Sequence, residues 1–255
     1  MSQAESKNSI QVIDRMARLL DALARLPAPA SLKQLAQSAA LHPSTAHRIL
    51  SAMAAARLVE RAEPGSYRLG MRLIELGNLA KSRVSVRELA LPYMRALHAA
   101  TGEAVNLSVR RDDEIVYIER SSSGRSMMRV VNVIGGRAPL HITAVGKLFL
   151  LEEGAEGVRG YAARTGLRGH TRNSLTSLAA LERDLDKARR QGYAVDHEEA
   201  ELGVRCIGAG VRDDEGALVA GLSVSAPTER MKPGWAALVK QTAAEISRGL
   251  GYRGQ

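Results

Sequence analysis

The chain has 255 residues, 45% apolar and 25% charged, so it can bury a sizeable core, but with only 3% aromatics the packing falls to Leu, Val, Ile and Ala. One cysteine excludes an internal disulfide, no apolar run approaches the roughly 18 residues of a membrane span, and the polar start MSQAESKNSI holds no signal core; a cytoplasmic protein with no membrane partner is expected. The net charge of +9 is lopsided: residues 1–83 hold 12 Lys and Arg against 6 Asp and Glu, a net of +6, so a polyanion is the expected partner of that part alone.

Residues 12–26 place Val12, Met16, Leu19, Leu20, Leu23 and Leu26 at helical spacing, and the PAPA that follows stops the helix. Ser31 is the natural N-cap of a second short helix, LKQLAQSAA, with apolar Leu32, Leu35, Ala36 and Ala39. Pro43 then restarts a helix at a position where a missing amide is harmless. Two helices about three residues apart have helix-turn-helix spacing. At 100° per residue the second helix turns Ala46, Ile49, Leu50 and Met53 to one face. Ser44, Arg48 and Ser51 face the other way, with Thr45 and His47 at the flanks. Short hydroxyls and an arginine fork suit base edges and phosphates, and residues 43–56 contain no acid that would repel them.

RLVERAEPGSYRLG reads as a hairpin: a strand at Leu58–Val59, a turn at Glu63-Pro64-Gly65-Ser66 and a return strand at Tyr67–Leu69, decorated by Arg57, Arg61 and Arg68. A hairpin directly after a helix-turn-helix makes a winged version, with Arg61 and Arg68 as candidate phosphate contacts. The stretch from LKQLAQSAALHPSTAHRIL through the GSYRLG wing to RLIELG resembles the DNA-binding domain of the IclR (isocitrate lyase regulator) family of bacterial transcription factors. The resemblance implies a winged helix-turn-helix domain over 1–70 and a linker helix over 71–83 that contributes to dimerisation. Met71, Leu73, Ile74, Leu76 and Leu79 suit a linker buried on more than one side.

From residue 84 the pattern changes. VRELALPYMRALHAATG is an amphipathic helix closed by Gly102; EAVNLSVRR and EIVYIERS are strands joined at Asp112-Asp113; MMRVV is a third candidate strand. ITAVGKLFLLEEG reads as a helix ended at Gly154, and a long helix closes at Gly192 before a strand. GVRCIGAGVRDDEGALVAGLSVSAP is a hairpin turning at Asp213–Gly216, and WAALVKQTAAEISRGLG is a final helix. Helices and hairpins without a βαβ repeat make the fold class α+β, with a largely antiparallel sheet. PLHITAVGKLFL, GYAVDHEEAELGVRCIGAGV and GALVAGLSVSAP resemble the same family's effector domain, which implies a GAF- or PAS-like sensor over 84–255.

Ser223 and Ser225 alternate with Val224 on one strand and so share a face, with Cys206 on the partner strand; such groups either fill small core spaces or form a polar pocket. The resemblance places effector contacts at Ala144, Val145, Asp196, Val204, Cys206, Ser223 and Ser225. An ionised Asp196 would repel a bare carboxylate, so a small organic acid that also bears a hydroxyl or carbonyl is expected. In DHEEAE, the side chains of His197, Glu198, Glu199 and Glu201 should alternate faces without converging, and no Cys or second His lies at useful spacing, so no metal is expected, with a zinc-binding surface as the alternative; no cofactor is expected either. Cys206 with His197 or His141 would serve a thiol enzyme, but it sits in an apolar strand, and no phosphate-loop pattern is present, so no catalytic residue is assigned. The expected function is a DNA-binding transcriptional regulator on a palindromic operator, a homodimer or homotetrameric dimer of dimers, controlled by an effector. The alternative from another class is a small-molecule sensor acting through protein contacts.

Overall fold

The structure, a computed structural model, describes residues 11–62, 65–81, 85–122 and 134–254. Two compact units divide the chain, Met1–Arg83 and Val84–Gln255. In the first, α1 (Gln11–Arg25), α2 (Leu32–Ser38) and α3 (Pro43–Ala55) enclose a core of Leu19, Leu23, Leu35, Ala46, Ile49, Leu50 and Met53. Ser31 caps α2 as a reciprocal pair: its Oγ accepts from the Gln34 amide at 3.3 Å, and its own amide donates to Gln34 Oε1 at 2.9 Å. Val12 departs from its expected place in the core and is exposed with Ile13, because α1 begins a turn before it meets the other helices.

The wing comprises β2 (Val59–Ala62) and β3 (Ser66–Leu69); the first two residues of its predicted turn, Glu63 and Pro64, lie outside the described residues. The sequence gives no sign of β1 (Ala30–Ser31), which pairs with β3 to make a three-stranded sheet in the order β1-β3-β2. Two residues inside a proline-rich break carry no alternation to read. The linker helix is α4 (Met71–Lys81). Leu73 is half-buried, but Met71, Ile74, Leu76 and Leu79 are exposed, so the expectation of more than one buried side is not met within this chain.

The second unit is a six-stranded sheet in the order β6-β5-β4-β9-β8-β7, every described neighbouring pair antiparallel. The strands are β4 (Ala104–Arg111), β5 (Glu114–Ser121), β6 (Arg137–Pro139), β7 (Ala194–His197), β8 (Val204–Arg212) and β9 (Leu218–Pro227). MMRVV, the predicted third strand, lies outside the described residues. One face of the sheet is apolar: Val105, Leu107, Ile207, Leu222 and Val224 pack on α5 (Val86–Thr101) and α9 (Trp235–Gly249). The other face, under α6 (Ala144–Glu152), α7 (Gly154–Thr165) and α8 (Leu178–Gln191), is built largely of small and polar residues. β6 and α7 are not visible in the sequence. Three glycines in GAEGVRGYAART lower its helix propensity, and only Val158 and Tyr161, one turn apart, show its buried side.

The first turn of α6 lies directly on the strands. A Cβ at Gly221 would stand 2.3 Å from Val145 Cγ1, and one at Gly208 would stand 3.2 Å from Ala144 Cβ. Glycine at both positions is what brings this helix N-terminus down to the sheet.

Candidate functional site: a basic helix face and a polar-floored cavity

In the N-terminal unit, α3 buries Ala46, Ile49, Leu50 and Met53 and presents Ser44, His47 and Arg48 to solvent, with Thr45 and Ser51 half-buried beside them. Its N-cap is His42, a role the sequence reading did not assign. The ring Nδ1 accepts from the Ser44 amide at 3.4 Å and lies 2.8 Å from Ser44 Oγ, so Ser44 is tied to the cap as well as exposed. Arg61 reaches across from β2 and donates to Ser51 Oγ at 2.8 Å, which joins the wing to the outward face of α3. Arg68 is placed differently. The register pairs it with Glu60, whereas Arg61 pairs with Tyr67, so the two arginines stand on opposite faces of the wing. Arg68 Nε donates to Glu60 Oε2 at 2.9 Å, and the same carboxylate accepts from the Met71 amide at 3.2 Å; these bonds lower its pKa. What α3 offers is a short, hydroxylated, cationic surface with no carboxylate on it, matched to phosphates and to the acceptor edges of bases.

In the C-terminal unit, a narrow cavity lies between the α6 N-terminus and the sheet, with about 10 Å³ of free space, room for about one water. Ala144, Val145, Asp196, Val204, Cys206 and Ser223 all line it, with Thr143, Ile115, Tyr117, Ala200 and Glu201 completing the walls. Ser225 does not line it. It sits behind Cys206, its Oγ 3.1 Å from Cys206 Sγ, and accepts from Asn106 Nδ2 at 3.2 Å. The floor follows from register: Asp196 pairs with Cys206, Cys206 with Ser225 and Ser225 with Ala104, one row across four strands. The roof is the start of α6. Thr143 caps it by accepting from the Gly146 amide at 3.1 Å, and its first turn contributes the positive end of a helix dipole. No Lys, Arg or His lines the cavity; the helix end adds positive potential there beside the charge of Lys147, which acts on Asp196 from behind the wall.

Asp196 is nearly fully buried. Burial, and then the Glu199 charge, raise its carboxyl from 3.8 to about 7, against the opposing pull of the Glu199 amide, which donates to its Oδ1 at 2.6 Å. The neutral acid is therefore accessible near neutrality, and the expected repulsion of a carboxylate is weaker than an ionised Asp196 would make it.

Glu199 corrects the reading of DHEEAE. The strand ends at His197, Glu198 takes a left-handed φ of 65°, and alternation stops there. Glu199 consequently turns inward beside Asp196 and accepts from Lys147 Nζ at 2.7 Å. Lys147 is 0% exposed and also donates to Asp184 Oδ2 at 2.7 Å and to the Val195 carbonyl at 2.8 Å. A buried ammonium is tolerable only when paired in this way. This cluster, which pins α6 to α8 and β7, was missed; the lone charge inside AVGKLFLL was the available signal.

The groups a thiol enzyme would use are engaged elsewhere. Cys206 is buried and its thiol is pushed well up, first by burial and then by the Asp196 charge. His197 Nδ1 is against Arg205, and His141 lies between the Tyr161 hydroxyl at 2.7 Å and the Arg168 carbonyl at 3.1 Å. Among the described residues no three His, Cys, Asp or Glu side chains are grouped as metal ligands would be, and no helix is long and apolar enough to cross a membrane.

Comparison with known proteins matches both halves. The model for the IclR helix-turn-helix domain covers residues 12–63, and that for the bacterial transcriptional regulator IclR C-terminal domain covers residues 79–248. The HTH-type transcriptional repressor AllR of Salmonella typhi is 33% identical over 258 residues, 98% of this chain and 94% of that protein. The DNA-binding transcriptional repressor YiaJ of Escherichia coli (strain K12) is 34% identical over 249 residues, 95% of this chain and 88% of that one. The crystal structure of the repressor BlcR from Agobacterium tumefaciens superposes with a TM-score of 0.87 at 28% identity, covering 96% of this chain and 99% of that one. An IclR homologue from Microbacterium hydrocarbonoxydans, complexed with 4-hydroxybenzoate, gives a TM-score of 0.61 at 28% identity, covering 94% and 98%.

Proposed function

The chain belongs to the IclR family of bacterial transcriptional regulators, DNA-binding proteins with a C-terminal effector domain, and from that premise we propose how this one works. It acts as a repressor, the role its relatives AllR and YiaJ are named for, and works in the cytoplasm; a small organic acid bound between α6 and the sheet controls its hold on DNA. It has no enzymatic activity. Ser44, Thr45, His47, Arg48 and Ser51 approach the major groove, while Arg61 beside Ser51, and Arg68 on the far face of the wing, contact backbone phosphate. One winged domain offers too little base contact to select a genomic site, so two copies on a palindromic operator are required. The apolar side chains exposed on α4 are the surface a second copy would cover, and a dimer of dimers extends the same logic.

The observation that carries the effector reading is the placement of a helix N-terminus directly over a floor containing Asp196, Cys206 and Ser223. The helix end takes the carboxylate, Asp196 takes a second polar group, and Val204 and Tyr117 wall the apolar body. Domain limits of 1–70, 71–83 and 84–255 divide this work into reading, coupling and sensing.

The test is operator binding by gel shift. Wild-type affinity should fall steeply as salt rises, which a sensor acting through protein contacts would not show. Arg48→Ala at unchanged fold should lose roughly tenfold or more of specific affinity. A normal footprint from that variant would sink the DNA-binding assignment.

A further inference from the structure

α3 begins with few backbone donors to spare for DNA. The amides that lead a helix have no partner within it and can bind phosphate. Here Pro43 carries no amide proton, and the Ser44 amide is already given to His42 Nδ1. The cap returns a donor from a side chain instead. A backbone N–H can only donate, so Nδ1 is the acceptor of that bond and the proton of the neutral ring sits on Nε2. His42 is exposed, and among the described residues only its Nδ1 is engaged. The ring is also placed. By helical position alone residue 42 would fall above Ala46 and Ile49, on the buried side of α3. As an N-cap it has extended backbone, with φ −65° and ψ 140°, and its ring leaves that side. Nδ1 lies 2.8 Å from Ser44 Oγ, so the imidazole rests beside Ser44 on the outward face, with the exposed Arg48 one turn further along.

We propose that His42 is a further DNA-contact residue, whose Nε2–H donates to a backbone phosphate at the edge of the groove that α3 enters while its Nδ1 holds the start of that helix. The two ring nitrogens thus divide the work of capping and of binding. A single donor suits a phosphate oxygen, which is an acceptor at every sequence, better than a base edge, where recognition takes paired donors and acceptors. The contact fixes how deep and at what angle the first turn of α3 stands in the groove, and so where Ser44 and Arg48 fall on the bases. It carries no sequence information itself and contributes equally to operator and to random DNA. This inference rests on the reading of α3 as the DNA-facing helix and adds to it a residue that lies before the helix begins.

The experiment uses the full-length protein and two duplexes, one selected by wild type from a random pool and one of random sequence. His42→Asn keeps an oxygen to accept from the Ser44 amide and removes Nε2–H; His42→Ser is a second cap of the same kind should the first fail to fold. Circular dichroism on heating checks the fold. Affinity by fluorescence anisotropy should fall about fivefold or more on both duplexes, by factors that agree within about twofold. Neutral methylphosphonates, placed singly along the selected duplex, then locate the contact. At one phosphate in each half-site the substitution should weaken wild type and leave the folded cap variants unaffected, a readout which loss of the cap alone would not produce. Full affinity in those variants would overturn the assignment of His42 and leave the reading of α3 intact. A loss confined to the selected duplex would also overturn it, since a base contact gives that result. A wild type that enriches no duplex and binds none would overturn the reading of α3, and this inference with it.

Discussion

Replacing Asp196 with Asn should stabilise the C-terminal unit, and by an amount that grows with pH. In the folded protein this carboxyl is raised from 3.8 to about 7 by burial and by the Glu199 charge, with Lys147 and the Glu199 amide pulling the other way and Cys206 and Tyr117 close by. Between those two values the folded state holds a proton that the unfolded state has released, so stability falls as pH rises through the window and levels off above about 7. Asn imitates the neutral acid, keeping an oxygen for the Glu199 amide, and does not titrate. At about 1.4 kcal/mol per pH unit, the stability gap between Asp196→Asn and wild type should widen by about 2.5 kcal/mol from pH 5 to pH 8. Trp235 is the single tryptophan of the chain and is buried in α9 against the sheet, so its fluorescence in urea reports this unit selectively. Comparing the two proteins at each pH cancels the other titrating groups, His141 and His197 among them. A gap that stays constant within about 0.5 kcal/mol over that range would show that Asp196 is not an acid held away from its charge, and the account of the cavity electrostatics would fail.

Three further outcomes test the packing around the cavity, all by Trp235 fluorescence in urea. Gly221→Ala puts a methyl 2.3 Å from Val145 Cγ1 and should cost about 1–3 kcal/mol; an unchanged midpoint would mean that α6 does not rest on the strands as described. Lys147→Met leaves Glu199 and Asp184 without their cation and should cost about 3–5 kcal/mol, with Glu199→Gln added in the same chain recovering part of it; no recovery would argue against the buried ion cluster. Ser108 is fully buried on the same sheet face and its hydroxyl has no hydrogen-bond partner, so Ser108→Ala should be neutral or stabilising by about 1 kcal/mol, and a clear loss of stability would reveal a partner for it.

The N-terminal unit was legible because its signals are local. Ser31 as an N-cap, Pro43 at the start of a helix, and apolar residues at 46, 49, 50 and 53 each act within two turns of one helix. The failures there came where a partner outside the segment decides the outcome: β1 exists only because β3 lies beside it, and Val12 is exposed because α1 outruns its neighbours. Long amphipathic helices such as α5, α8 and α9, and the β8–β9 hairpin, were equally readable from period and turn residues. The glycine-rich α7 and the three-residue β6 were not.

The sequence by itself determined which residues share a face and which segment carries the positive charge, since both follow from the helical and strand periods and from composition. It also placed Cys206, Ser223 and Asp196 on strands, and the family resemblance singled them out. Only the tertiary structure decided what those residues do together. Strand order sets Asp196, Cys206, Ser225 and Ala104 in one row although they are scattered from 104 to 225, and glycine at 208 and 221 lets a helix end descend onto that row. A left-handed turn at Glu198 sends Glu199 inward to a lysine 52 residues away. The titration of a buried carboxyl depends on neighbours brought together from different strands and helices, and local sequence patterns do not encode that proximity.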